Sequence, residues 1–166
     1  MFRKTVKKSR IALLLVTLSL ANCTSVPITF NELLRERIEG ARSDGQLTVQ
    51  GEKIAALNLI ATLYENNGFQ PLWQEPGMSY QLLDAVHNAR EDGLNPTDYH
   101  YEALSRMLSE PDDSSSDKIG LELLLSDAFF RLAYHYQFGR TEPEKLFITW
   151  NFTRNIGQTD PHDLLK

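Results

Sequence analysis

The chain has 166 residues, enough for one compact domain and too few for two sizeable ones. Its 22 Asp and Glu outnumber its 17 Lys and Arg, for a formal net charge of −5, which argues against nucleic acid or anionic lipid as a partner held by charge. Cys23 is the single cysteine, so there is no disulfide and no Cys-based metal site.

The chain opens on a basic stretch, Arg3, Lys4, Lys7, Lys8 and Arg10, followed by the short apolar run Ile11–Leu20. Such a run is too short to span a bilayer stably as a helix and reads as an export signal. Ser19-Leu20-Ala21 is a small-x-small site, so residues 1–21 are expected to be removed. A rival reading takes Leu20-Ala21-Asn22-Cys23 as a lipobox, with Asn22 where a smaller residue is usual. Cys23 is then a lipidation site. Both readings stand. Without residues 1–21 the chain keeps 12 basic and all 22 acidic residues, a net charge of −10.

A first helix is expected over Val26–Gly45, with Phe30, Leu33, Leu34, Ile38 and Ala41 inward. Glu32, Arg35, Glu36, Arg37 and Glu39 fall outside, at spacings that suggest charge pairs along the helix. Leu47-Thr48-Val49 reads as a brief extended piece. A second helix is expected from about Glu52 to Asn66, with Ile54, Leu57, Ile60, Ala61 and Tyr64 as its stripe. Asn67-Gly68 ends it. Phe69–Trp73 leaves as an extended segment, because Pro71 pushes Gln70 out of helical space.

Pro76-Gly77 turns the chain into a third helix, about Ser79–Glu91, with Leu82, Leu83, Val86 and Ala89 inward and Gly93 as its stop. Asn95-Pro96 is a cap followed by an N1 proline. It starts a short fourth helix carrying Tyr99, Leu104 and Leu108. Glu110–Asp117 is acidic and poor in apolar residues, and reads as a flexible surface loop. Ile119–Phe138 is apolar nearly all round, the mark of a central core helix. Leu121, Leu125, Ala128, Leu132 and Tyr136 share one face, with Leu124, Phe129, Phe130 and Ala133 widening it. Asp117 or Ser116 is its expected cap, and Gly139 its stop. A further helix carries Leu146, Phe147 and Trp150. Asp160-Pro161 opens another, which the sequence leaves after less than two turns. This is read either as a frayed terminus or as part of a longer design. The expected fold is mainly α, a compact helical domain around a buried central helix with short extended segments.

Few residues invite a chemical role. Trp73 and Trp150 are read as core rather than as sugar-stacking platforms. His100 beside Tyr99 and Asp98 suggests acid–base work, but the simpler reading has Asp98 favourable in a first helical turn and Tyr99 packing. His87 and His135 lack metal-ligand spacing. Asp127 in the central helix needs a partner, with Arg131 or Arg140 as candidates, and reads as structural. No catalytic, cofactor-binding or metal-binding residue is assigned, and no cofactor is expected.

Four stretches then carry a resemblance. They are Val49-Gln50-Gly51-Glu52; Leu63 to Trp73, reading Leu-Tyr-Glu-Asn-Asn-Gly-Phe-Gln-Pro-Leu-Trp; Glu91 to His100, reading Glu-Asp-Gly-Leu-Asn-Pro-Thr-Asp-Tyr-His; and Leu125–Arg131 followed by Phe138-Gly139-Arg140. In order and spacing, over roughly residues 47–150, they resemble the N-terminal scaffold domain of the large bacterial L,D-transpeptidases, envelope enzymes that cross-link peptidoglycan. The expected division is 1–21 (signal), 22–46 (N-terminal helix and approach) and, from the resemblance, 47–166 (scaffold-like, read as truncated at its C-terminus). Catalysis in that family rests on a Ser-His-Gly-Cys type motif. This sequence has none, so no catalytic residue carries over. The expectation is a non-catalytic helical scaffold, located in the periplasm or envelope. Its partners would be peptidoglycan or a missing catalytic domain, and it would touch membrane only through the signal or a lipid on Cys23. The competing expectation is a free-standing periplasmic or lipoprotein adaptor. A free-standing hydrolase is disfavoured, since no nucleophile–base spacing appears.

Overall fold

The computed structural model describes residues 28–140. The signal, Cys23, Trp150, the helix expected around Leu146–Trp150 and the Asp160-Pro161 start lie outside the described residues. Helix α1 spans Phe30–Asp44. It begins later than expected because Thr29 caps it. Thr29 Oγ1 accepts from the Glu32 N–H at 3.3 Å, and Glu32 accepts from the Thr29 N–H at 2.8 Å, a reciprocal capping box. The charged face of α1 also reaches other elements. Arg37 donates to the Thr48 carbonyl at 3.1 Å, and Arg42 pairs with Glu65.

The second helix also starts later than expected. Glu52 and Lys53 form strand β2, antiparallel to β1, Thr48–Val49, with Val49 opposite Glu52. Gln50 and Gly51 have φ of 51° and 85°, the pair of positive values that a tight two-residue hairpin turn requires. That turn reverses the chain, and helix α2 covers only Leu57–Asn66. Residues 69–77 form bends and turns rather than the expected extended run. Phe69 has φ 57°, with its N–H donating to the Tyr64 carbonyl at 2.7 Å.

Helix α3 is Met78–Asn88, continued by a 3-10 helix, Ala89–Asp92, that closes on Gly93. Asn95 caps a second 3-10 helix, Pro96–Tyr99, through the Thr97 N–H. The single fourth helix expected here is divided. His100 adopts φ 63°, and α4, Tyr101–Ser109, follows it. Helix α5 is Ser115–Phe138. Its cap is Ser114, which accepts from the Asp117 N–H at 3.2 Å, so Asp117 is a first-turn acid and not the cap. The acidic loop is shorter for the same reason.

Helix α5 is central, as its composition implies. It meets α1 and α2, which also pack on each other, and it meets α3, α4 and the second 3-10 helix. Leu34, Ile38, Ile60, Val86, Leu104, Leu123 and Leu124 are completely buried. Gly120 permits the closest approach. A Cβ there would lie 3.0 Å from Val49 Cγ1, so even alanine would need Val49 to shift by a few tenths of an ångström. Leu125, Ala128 and Leu132 are buried and Phe129 is half-buried. Tyr136 departs from the expected inward face. It is 50% exposed and donates to Asp92 at 3.0 Å. Phe30, Leu33 and Leu83 pack at the margin of the core.

Candidate functional site

Two buried polar clusters lie along α5. The first is built on Asp127, which is 0% exposed. One carboxylate oxygen accepts from the backbone N–H groups of Ala55 and Ala56, at 2.8 and 2.6 Å. Helix α2 has no capping side chain of its own, since Ala56 occupies the N-cap. Asp127 fills that role from another helix and places its negative charge at the positive end of the α2 dipole. The other oxygen lies 2.7 Å from His100 Nε2 and 3.6 Å from the Arg131 guanidinium. The expected partner Arg131 is therefore present but secondary to His100. Arg140 instead lies 2.6 Å from Asp98 Oδ2, an ion contact without hydrogen-bond alignment.

His100 is 2% exposed and lies between two carboxylates, with its Nδ1 3.0 Å from Glu52 Oε2. Each ring nitrogen thus faces a carboxylate oxygen. The residue sits in the left-handed region that few side chains other than glycine adopt. Its ring is held from both ends, so the backbone strain is offset by buried contacts. This cluster ties together β2, the start of α2, the start of α4 and the middle of α5.

The second cluster is built on Glu122 and Ser126, which sequence reasoning did not single out. Tyr64 Oη donates to Glu122 at 2.8 Å and lies 2.9 Å from Ser126 Oγ. The Leu72 N–H also donates to Glu122. Trp73 Nε1 donates to Ser126 Oγ at 3.0 Å, while Ser126 donates to its own helix at the Glu122 carbonyl. Trp73 is half-buried with its edge toward Phe129, so it is a core-margin residue, as expected. Burial pushes the Glu122 carboxyl above the usual range, and the Leu72 N–H, the Tyr64 hydroxyl and the Trp73 N–H partly pull it back. Burial and the nearby Glu122 charge push the Tyr64 hydroxyl well above its ordinary value. One signal for this cluster existed: Glu122 and Ser126 are one turn apart in an otherwise apolar run, so two polar groups had to share one buried face.

Neither cluster has the layout of a catalytic centre. Ser126 is 2% exposed, and its hydrogen-bonding neighbours are Tyr64, Trp73 and a backbone carbonyl, none of them a base suited to activating it. Asp127 and Glu52 approach opposite nitrogens of His100 and do not converge on a shared point. No group of three or more His, Cys, Asp or Glu among the described residues could hold a metal ion. The His87 ring lies tilted against Tyr101, and His135 Nδ1 is 2.7 Å from the Tyr99 hydroxyl. Burial, then Arg131 and Arg140, hold His135 below its ordinary value. A groove of roughly 870 Å3 runs between α1, the hairpin and the start of α5, and no member of either cluster lines it. No helix among the described residues is long and apolar enough to cross a membrane.

The clusters have one further property. Glu52, His100 and Asp127 come from three of the four stretches singled out in the sequence, and Tyr64, Leu72 and Trp73 come from the remaining one. Those stretches meet around α5. No curated protein and no solved structure matches the chain. A family model described as "Scaffold domain" matches residues 58–166. That match covers more than half of the chain and includes α2 to α5 with both clusters' α5 residues, and the protein belongs to the scaffold-domain family.

Proposed function

We propose that this chain is the non-catalytic helical scaffold portion of an exported L,D-transpeptidase-like protein that takes part in peptidoglycan cross-linking. One observation carries the reading. The four sequence stretches that resemble such scaffolds meet through polar contacts, with His100 between Glu52 and Asp127 and with both Tyr64 and Trp73 at Ser126. Side chains used in that way hold a shape. The basic start and short apolar run support export, with Cys23 as an N-terminal lipid site in the lipobox variant. The net negative charge fits a partner other than nucleic acid. The function is then to present a rigid body against which a catalytic domain or peptidoglycan is held.

The test uses the full chain and muropeptides carrying tetrapeptide stems, with and without a separately supplied catalytic domain that contains the Ser-His-Gly-Cys motif. The chain alone should leave the muropeptides unchanged on chromatography. It should associate with the catalytic domain or with isolated sacculi in sedimentation. New cross-linked dimers that disappear in Cys23→Ser would overturn the non-catalytic reading. Binding to neither partner would overturn the scaffold role.

A further inference from the structure

Between α2 and α3 the chain passes over α5 in bends and turns. The ends of this segment are fixed by local bonds. The Phe69 N–H donates to the Tyr64 carbonyl at 2.7 Å, and the Met78 N–H donates to the Glu75 carbonyl at 3.1 Å. Its middle, Pro71–Trp73, is half-buried and tied to α5 at two residues one turn apart. The backbone N–H groups of Leu72 and Trp73 donate to the Glu122 carboxyl. Trp73 Nε1 donates to Ser126 Oγ at 3.0 Å. The Trp73 ring lies edge-on to Phe129, with centroids 6.1 Å apart.

Glu122 is 6% exposed, and the walls around it differ in strength. One is α2, whose Tyr64 is completely buried and donates to the carboxyl at 2.8 Å. Burial pushes the Tyr64 hydroxyl well above its ordinary value, so it keeps its proton while Glu122 titrates. Another wall is α5 itself, where Ser126 donates to the Glu122 carbonyl at 2.9 Å. The third is Pro71–Trp73, which belongs to no helix or strand. From α1, Arg35 lies over the Phe69 ring at the start of the segment, 4.8 Å from its centroid. Farther along α5, Asp127 is engaged by His100 and by the N–H groups of Ala55 and Ala56. A charge on Glu122 is thus met by N–H and O–H donors, and beyond them by whatever water is admitted. We infer that Pro71–Trp73 is a strap that lies closed on α5 while Glu122 carries its proton and lifts away when the carboxyl ionises, with the helices left in place. Moving this short piece of loop lets water reach the carboxylate without unfolding α2 or α5. The direction follows from burial, which holds the closed carboxyl above its usual range. The closed form is favoured below that range and loses ground as pH rises through the raised value. Lifting also draws the Trp73 ring off Phe129, so the strap governs the access of water to that seam of the core margin.

Amide exchange in the full chain, followed by NMR and normalised to the intrinsic rate at each pH, tests this. The Leu72 and Trp73 N–H groups should exchange faster than those of Leu124 and Leu125, and low urea should leave their exchange unchanged while it speeds exchange in α5. Their protection should fall several-fold from mildly acidic to mildly alkaline pH, and Glu122→Gln should abolish that fall. One shared exchange rate and urea dependence for Leu72 and Leu124 would mean that the charge opens the whole domain, and would overturn the strap. Protection of Leu72 that ignores pH, or that follows pH equally in Glu122→Gln, would overturn it as well. A second measurement reads the ring. The chain contains two tryptophans, Trp73 and Trp150, so Trp150→Phe leaves Trp73 as the sole reporter. Its quenching by acrylamide should rise several-fold over the same pH range and stay level once Glu122→Gln is added. Equal quenching at both ends of the range would show that the ring does not leave α5.

Discussion

Asp127 and Glu122 lie little more than one turn apart on α5, and both are buried, yet they are satisfied in different ways. Asp127 has a histidine, a nearby arginine and two backbone N–H groups, so its charge is compensated. Glu122 has a phenol and a backbone N–H, and no ion pair among the described residues includes it. Burial accordingly favours its protonated form. The contrast separates two uses of a buried acid. One is a charged tie that must stay intact. The other is a polar tie whose strength depends on pH.

The largest effect should come from breaking the charged tie. Asp127→Ala leaves His100 and two backbone N–H groups without their acceptor, and should cost about 3–5 kcal/mol. Urea unfolding of the full chain at neutral pH measures it. Asp127→Asn keeps an amide oxygen for the N–H pair and should recover part of the loss. A midpoint no lower than that of a surface variant would remove the distinction drawn here. Leu132→Ala supplies the apolar benchmark on the same helix. Leu132 is 5% exposed, and truncation should cost about 2–5 kcal/mol. An unchanged midpoint would mean that α5 is not the packed centre. Tyr64→Phe is milder, at about 1–3 kcal/mol, because it strips a hydroxyl donor from Glu122 without opening much space. Equal costs for Tyr64→Phe and Asp127→Ala would erase the contrast.

The smallest effect is a slope. The folded chain holds the Glu122 proton to higher pH than the unfolded chain does. Its contribution to stability is present below the ordinary carboxyl value and is lost as pH rises through the raised one. Glu122→Gln keeps an acceptor for Tyr64 and Leu72 and should flatten the fall in stability across that window. Unfolding midpoints at a series of pH values decide this, and parallel curves for the two proteins would refute it. His135 bends the curve the opposite way. Its lowered value adds stability above its ordinary range that fades as pH falls through it.

Helix positions and the central role of α5 were legible because apolar periodicity and helix stops are local signals. Gly45, Asn67 and Gly93 sit at helix ends, much as their residue types imply. What escaped was tertiary. Nothing near Glu52 announces that Gln50-Gly51 folds back into a hairpin, since Gln is an uncommon residue at positive φ. His100 gives no local signal, because its partners, Glu52 and Asp127, lie far away in sequence. Asp127 was recognised as needing a partner, but sequence spacing could offer only Arg131 and Arg140. Glu122 and Ser126 were absorbed into an apolar run, although their one-turn separation was visible.

The Asp127 bonds to Ala55 and Ala56 span 72 and 71 residues of chain. During synthesis, the front of α2 therefore waits without its capping acid while most of the described domain is being made. The hairpin and α2 can assemble locally, but they cannot be locked until α5 arrives. Without α5, the early half keeps uncovered the apolar faces that α5 packs against. A chain lacking α5 would leave the front of α2 without its capping acid and would be an easier target for proteolysis.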